Sequence, residues 1–354
     1  MLAVFTREMK NYLKRPLFWL GIAIVICGVY SCVSPYLTIH YLAPGETIVN
    51  DYPETFRSAE VYEGYVPSTA EEQRKLFEQN TAALFIETWN MTAEEANAVI
   101  EEMKDMDISQ ACDFLETQYR YVGAINTYRS TAFRKGTPDE INAYLAQMLS
   151  EKPFSYYFSR KFADFAGLFM GFFATVMLSV LFLQDTRRHT YELLHTKPIR
   201  AGSYIAGKAL GGFSVCLIAL VILTLTFWAL CIFYTRDSGF TVRLTDFIAV
   251  DCLYILPNML WIVCVYLLIS LLFKNPLPAV PLLLLLMVYS NMGSRNAEGI
   301  YGYYGHPFAI MVRFPGSFFD TAPPPMALFN QSLLLAASAG ILLIAVQLWK
   351  RRRM

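Results

Sequence analysis

Six apolar stretches, 17–37, 162–183, 210–233, 252–273, 277–292 and 328–349, constrain this chain more than any other feature of its sequence. Runs of about 17 to 25 apolar residues cross the hydrocarbon core of a bilayer as helices, because no water is present there to satisfy an open backbone. Charged residues make up 16% of the 354 positions and hydrophobic ones 55%. The charged share lies well below the ~25% of soluble domains, which excludes a disordered or collagen-like chain. A formal net charge of zero gives nucleic acid no footing as a partner. The expected fold class is an all-α polytopic membrane protein with six transmembrane helices. The fifth stretch is the shortest and opens on Pro276, Pro278 and Pro281. Proline suits a first helical turn and breaks the ladder further in, so this helix is expected either to kink or to start late.

The zero net charge conceals a segregation along the chain. Lys and Arg are retained on the cytoplasmic side of a membrane. With the N-terminus inside, the inside segments hold 14 basic residues against the three acids Glu8, Asp185 and Glu192, whereas 40–160 holds 10 basic and 20 acidic residues. The loop after the third stretch carries Arg236 and Arg243 against Asp237, Asp246 and Asp251. Both termini are therefore predicted to be cytoplasmic, the second as a basic tail at 350–354, with 38–161 outside. The 17–37 run is long for a signal-peptide core and no small-x-small site follows it, which favours an uncleaved signal anchor. A lipoprotein-like signal at Cys32 is the weaker alternative, because Tyr30 fits it poorly.

The 38–161 segment is large enough for a helical domain inserted between helices 1 and 2. Thr92 and Glu95 have capping-box spacing, as do Thr137 and Glu140. Ala96, Val99, Ile100, Met103 and Met106 follow at three- and four-residue intervals, and Ile141, Tyr144, Leu145 and Met148 repeat the pattern. Further helices are expected at 76–89 and around Ala111, Phe114, Leu115 and Tyr119, whereas 40–67, with Pro44, Gly45, Pro53, Gly64 and Pro67, reads as a looped lead-in. The acidity of this domain either attracts cationic substrates or keeps exposed helix faces soluble; the second is favoured, since Lys and Arg are depleted outside in any case. Cys112 stands alone in the domain, so no internal disulfide framework exists there and only a bridge to Cys32 is left open.

Motifs of chemistry are missing. The chain has no H-E-x-x-H, G-x-S-x-G, C-x-x-C or phosphate-cradling G-x-x-x-x-G-K-[ST]; after Gly202, Gly207 and Lys208 the required hydroxyl position is Ala209. His189 and His195 lack a helical ligand spacing, and no metal site is expected. Polar residues within the stretches are few: Asp164, Asn258, Asn291 and Gln347. Asp164, near Lys161, is expected to lie at the interface. Without a chain of buried carboxylates for proton coupling, the energy for any transport must come from elsewhere.

The most specific segment is 184–209. Tyr191, Glu192, Leu193 and Leu194 form a short helical pattern stopped by Pro198, followed by Ile199, Arg200 and, at the start of the next stretch, Lys208. This order of an acid, a Leu-Leu pair, a Pro-Ile-x-Arg turn and a Lys resembles the coupling loop of type-2 ABC exporter permeases. The N-terminal 1–16 agrees: Phe5, Met9, Tyr12 and Leu13 alternate with Arg7, Glu8, Lys10, Lys14 and Arg15, an amphipathic pattern that suits an interfacial helix before Pro16. That family has a connecting helix at this position and short re-entrant helices before its last span, where 293–327 carries Tyr301, Gly302, Tyr303, Tyr304, Gly305, Pro307 and the Pro323–Pro325 run.

The resemblance implies a permease of the bacterial plasma membrane, working with a second permease, identical or paralogous, and with a separately encoded ABC ATPase subunit. ATP and Mg would be bound by that ATPase, with no cofactor on this chain, and the loop would pass ATPase movement to the spans. The inserted domain lies outside the resemblance. The rival reading is a membrane-anchored sensor or assembly factor whose outside domain binds a ligand or partner while the spans only scaffold it.

Overall fold

A computed structural model of the chain describes residues 2–46, 48, 59–187, 200–295 and 301–351. Proline and capping side chains set the helix starts. Arg15 is in extended backbone and Pro16 opens a helix at the position where its missing N–H costs nothing. The helices in chain order are α1 (Leu2–Leu13), α2 (Pro16–Leu37), α3 (Ala70–Trp89), α4 (Ala93–Met103), α5 (Ile108–Tyr119), α6 (Ala124–Ser130), α7 (Pro138–Glu151), α8 (Phe154–Arg187), α9 (Ala201–Tyr234), α10 (Leu244–Val250), α11 (Leu256–Phe273), α12 (Ala279–Asn291) and α13 (Ala327–Arg351). A π-helical turn, Asp251–Ile255, joins α10 to α11. Strand β1 (Tyr65–Pro67) pairs antiparallel with β2 (Phe133–Lys135), Val66 opposite Arg134, and β3 (Ser294–Arg295) pairs with β4 (Tyr301–Gly302).

The chain divides into two compact units, one of residues 1–40 and 148–354 and one of Tyr41–Gln147. In the first, five helices among the described residues are long and apolar enough to cross a membrane: Pro16–Leu37, Phe154–Val180, Ala201–Tyr234, Leu244–Phe273 and Ala327–Arg351. The remaining apolar stretch, expected to span over 277–292, is the 13-residue α12. At about 1.5 Å per residue it covers roughly 20 Å of a core about 30 Å thick. It starts late, after Pro278, which leaves Pro281 in its first turn, where the ring is tolerated. The 184–209 segment is also shorter as a connection than its composition suggests, because α8 continues to Arg187 and α9 begins at Ala201.

Packing in this unit depends on small residues facing rings. A Cβ at Gly28 of α2 would fall 2.3 Å from the Phe169 ring of α8, so the two helices approach as they do only because none is there. Nearly three turns nearer the start of α2, Phe18 meets Phe173 edge to face, with ring centroids 5.9 Å apart. Helix α11, apolar all round, is buried against α8, α9 and α13.

In the second unit the expected caps form. Thr92 accepts from Glu95 N while Glu95 accepts from Thr92 N, and Thr69 with Glu72 and Asp107 with Gln110 do the same. Phe77, Phe85, Val99, Met103, Ala111 and Leu115 close the core between α3, α4 and α5, with Cys112 buried beside them. All seven cysteines are free thiols, so Cys112 is not bridged to Cys32. Arg74 of α3 caps α4 by donating to Met106 O at 2.9 Å and Met103 O at 2.5 Å. Within the stretch expected to be a looped lead-in, β1 is instead tied to β2, a pairing no local pattern announces. Arg134 of β2 holds both Glu140 and Glu72. Its guanidinium, with the Thr137 amide, pulls the Glu140 carboxyl down to about 2. The amide of Thr69, followed by Arg134, lowers that of Glu72.

Candidate functional site

The end of the first unit that carries α1 gathers the candidate coupling residues the structure describes. Glu8, one turn after Phe5, is buried, and its Oε1 lies 2.9 Å from Nζ of buried Lys208 on α9. Gly211, one turn further along α9, makes this possible: a Cβ there would sit 2.9 Å from the Cβ of Glu8. Tyr12, at i+4 from Glu8, is 2% exposed and donates to Met177 O of α8 at 3.2 Å. At the same end Tyr204 of α9 stacks on Trp349 of α13, centroids 4.1 Å apart. Among the described side chains of α1 the buried ones are Glu8 and Tyr12, Glu8 meeting α9 and Tyr12 meeting α8. Phe5 and Met9, expected to form its apolar face, are half-buried, and Leu13 and Lys14 are exposed. Periodicity alone leaves Glu8 among the polar residues of α1; its ion pair with Lys208 turns it toward α9.

Of the loop residues, Tyr191, Glu192, Leu193, Leu194 and Pro198 lie outside the described residues. Arg200 is exposed and in extended backbone (φ −63°, ψ 132°) at the N-cap of α9, its carbonyl accepting from Tyr204 N at 3.1 Å. The structure thus brings Lys208 and Tyr12 into one cluster with Glu8, which charge counting had treated merely as an acid on the basic side.

At the opposite end of the bundle, polar side chains of α8, α12 and α13 clamp the irregular segment between α12 and α13. Asp164, expected at the interface beside Lys161, is buried within the protein: Arg313 Nε approaches its Oδ1 at 2.5 Å and Phe314 N donates to the same oxygen at 3.0 Å. Arg313 Nη1 also donates to Asn291 Oδ1 at 2.7 Å. Lys161 and Arg160 donate to Gly316 O at 2.6 Å and Thr321 O at 2.5 Å. Asn330 of α13 donates to Ala309 O at 2.7 Å. Ser290 of α12 accepts from Ile310 N at 2.8 Å. The charge on Asp164 is tolerated because a guanidinium and a backbone amide replace its water.

A helical bundle with this length of apolar helix, an N-terminal helix pinned on its flank and a polar-clamped segment before its last helix is matched by one family model, described as ABC-2 family transporter protein, over residues 2–306. The chain belongs to the ABC-2 transporter family. No curated protein and no solved structure matches it. As a chain of the ABC-2 family it is a multi-pass membrane protein of a transport system. The match takes in α1 to β4, hence Glu8, Lys208 and Asp164, and ends before Arg313 and α13.

Three residues of this ABC-2 chain were not legible as partners. Glu8 is the sole acid in 1–16, Lys208 the sole charge in 201–234, and Arg313 the sole Lys or Arg between 296 and 349. Isolation of a charge in an apolar or opposite-sign stretch was the available signal. A fourth, Asp251, counted with a solvated loop, is buried at the start of the π-helical turn.

Proposed function

We propose that this chain is the transmembrane permease subunit of an ATP-driven ABC exporter, coupling ATP hydrolysis by a separate ATPase subunit to movement of a substrate across the plasma membrane of a bacterium. The observation that carries this is the Glu8–Lys208 pair. It ties α1 to the first turns of α9, the helix that follows the candidate coupling loop, so a push on the loop and a push on α1 reach the bundle as one movement. A buried ion pair resists separation because either charge alone would be left uncompensated, which suits a joint that transmits force.

In this proposal six spans, with α12 completing the set in company with the clamped segment after it, leave both termini cytoplasmic, in keeping with the 14 basic residues on that side. Two permease chains, identical or paralogous, pair with two ATPase subunits holding ATP and Mg, and substrate crosses between the permeases. Glu192, Leu194 and their neighbours Tyr191, Leu193, Pro198 and Arg200 seat in the ATPase. Co-purification of an ABC ATPase with the chain, and loss of stimulated hydrolysis in Glu192→Ala or Leu194→Asp without loss of assembly, are the expected results. An undiminished stimulated rate in both variants would overturn the proposal.

A further inference from the structure

Thr224 of α9 has one hydroxyl proton and two acceptors within reach. Its Oγ1 lies 2.9 Å from Leu220 O, one turn earlier, and 2.6 Å from Oδ2 of Asp251. One proton shared between two acceptors makes two weak bonds, whereas a second proton brought by a partner lets both be full ones. A backbone carbonyl has none to bring, whereas a carboxylic acid does. We infer that Asp251 is a proton-binding site inside the transmembrane bundle and that its protonated form is the resting one: the acid O–H donates to Thr224 Oγ1, and the Thr224 hydroxyl donates to Leu220 O.

The surroundings point the same way. Asp251 is 7% exposed, and Thr224 is the one hydrogen-bond partner of its carboxyl among the described residues; Oδ1 has none. A carboxylate so placed would need a cation or several donors. The elements packed on the π-helical turn are α8, α10, α11 and α13, with α9 meeting it at Thr224. On α8, Arg160 and Lys161 donate to Thr321 O and Gly316 O, and Asp164 holds Arg313. Also on α8, Tyr156 bonds Arg160 and Tyr157 bonds Met148 O. Asp246 of α10 bonds Ser155, and Tyr266 of α11 donates to Thr175 O. The α11 thiol Cys264, the α9 thiol Cys231 and Tyr254 in the turn itself bring no positive charge, Lys208 of α9 pairs with Glu8, and α13 has no ionisable side chain before Lys350.

Two further buried side chains on elements packed against the turn have polar atoms without partners. Gln331, in the first turns of α13, is 4% exposed with neither amide atom hydrogen-bonded, and Asn258, on α11 just after the turn, is 1% exposed with Oδ1 unbonded. Buried polar atoms of this kind ordinarily hydrogen-bond water. Release breaks the Asp251 O–H bond, leaves its electron pair on the carboxylate and passes the proton to water. The Thr224 proton then turns from Leu220 O to the carboxylate.

Infrared spectroscopy of the purified full-length chain tests this directly. At neutral pH a protonated-carboxyl C=O stretching band should be present, lost in Asp251→Asn, kept in Asp246→Asn, and fading on alkaline titration. The Asn amide donates to Thr224 as the acid does but cannot ionise, so the wild type should lose thermal stability relative to Asp251→Asn as pH rises. Should Asp251→Asn fail to assemble, Thr224→Val is the second variant, and its carboxyl band should shift to that of an acid without an acceptor. A spectrum in which the Asp251 substitution removes no such band, parallel melting of the two proteins across the pH range, or an unshifted band in Thr224→Val would each overturn the inference.

Discussion

Arg313 grips Asp164 across 149 positions of sequence, Nε at 2.5 Å from Oδ1 and Nη2 at 3.2 Å from Oδ2, and so fastens the segment between α12 and α13 to the first third of α8. Removing one partner of a buried pair leaves the other charge without compensation, at a cost of about 3–5 kcal/mol. Asp164→Ala should therefore lower the unfolding midpoint of the purified protein strongly. Asp164→Ala combined with Arg313→Ala should cost less than the two singles added together, because the second substitution removes the stranded charge. Strict additivity in the double-mutant cycle would show that the contact carries no coupling.

Gly211 and Gly167 both lie within long helices, yet a methyl group at each meets different surroundings. At Gly211 it would press on Glu8 at 2.9 Å, and at Gly167 it would find nothing within 4 Å. Gly211→Ala is expected to push α1 off α9, costing about 1–3 kcal/mol as an overpacked contact, and to reduce ATPase stimulation under the proposed function. Gly167→Ala should be neutral or stabilising by up to ~1 kcal/mol from helix propensity. Limited proteolysis, reporting release of the N-terminal helix, and thermal melting separate the two; equal effects would contradict the Gly211 contact.

Glu140 supplies a pH dependence whose sign follows from its lowered carboxyl. Arg134 first, and then the Thr137 amide, hold it at about 2, against an ordinary 4.5. A depressed carboxyl adds stability above its unfolded value and loses it as pH falls toward its folded one. The wild type should thus lose stability between about pH 4.5 and 2 more steeply than Glu140→Gln. Because the Glu140 side chain is 41% exposed, solvent screens the pair and the difference in slope should be modest and shrink with salt. Identical acid-unfolding curves at low salt would show that the pair contributes nothing.

Helices and caps were legible because their causes are local. Five of the apolar runs, the Thr92–Glu95 and Thr137–Glu140 boxes and the spacing through Val99 and Met103 each depend on residues a few positions apart, and each appears where expected. The weakness of the fifth apolar stretch was visible in its prolines, for the same reason. The site was less legible. Charge counting pointed to the two regions that hold Lys208 and Glu8 but could not pair them, because a polar residue turns inward only when a distant partner waits there.

The sequence by itself determined that this is a helical membrane chain, where most of its helices lie and which segment resembles a coupling loop, since burial in lipid and helix periodicity act on every such stretch alike. Only the tertiary structure decided that Asp164 belongs to Arg313, Glu8 to Lys208 and Asp251 to Thr224. A charge removed from water must find its compensation wherever the packing of helices delivers it, and no short-range rule encodes which helix that will be.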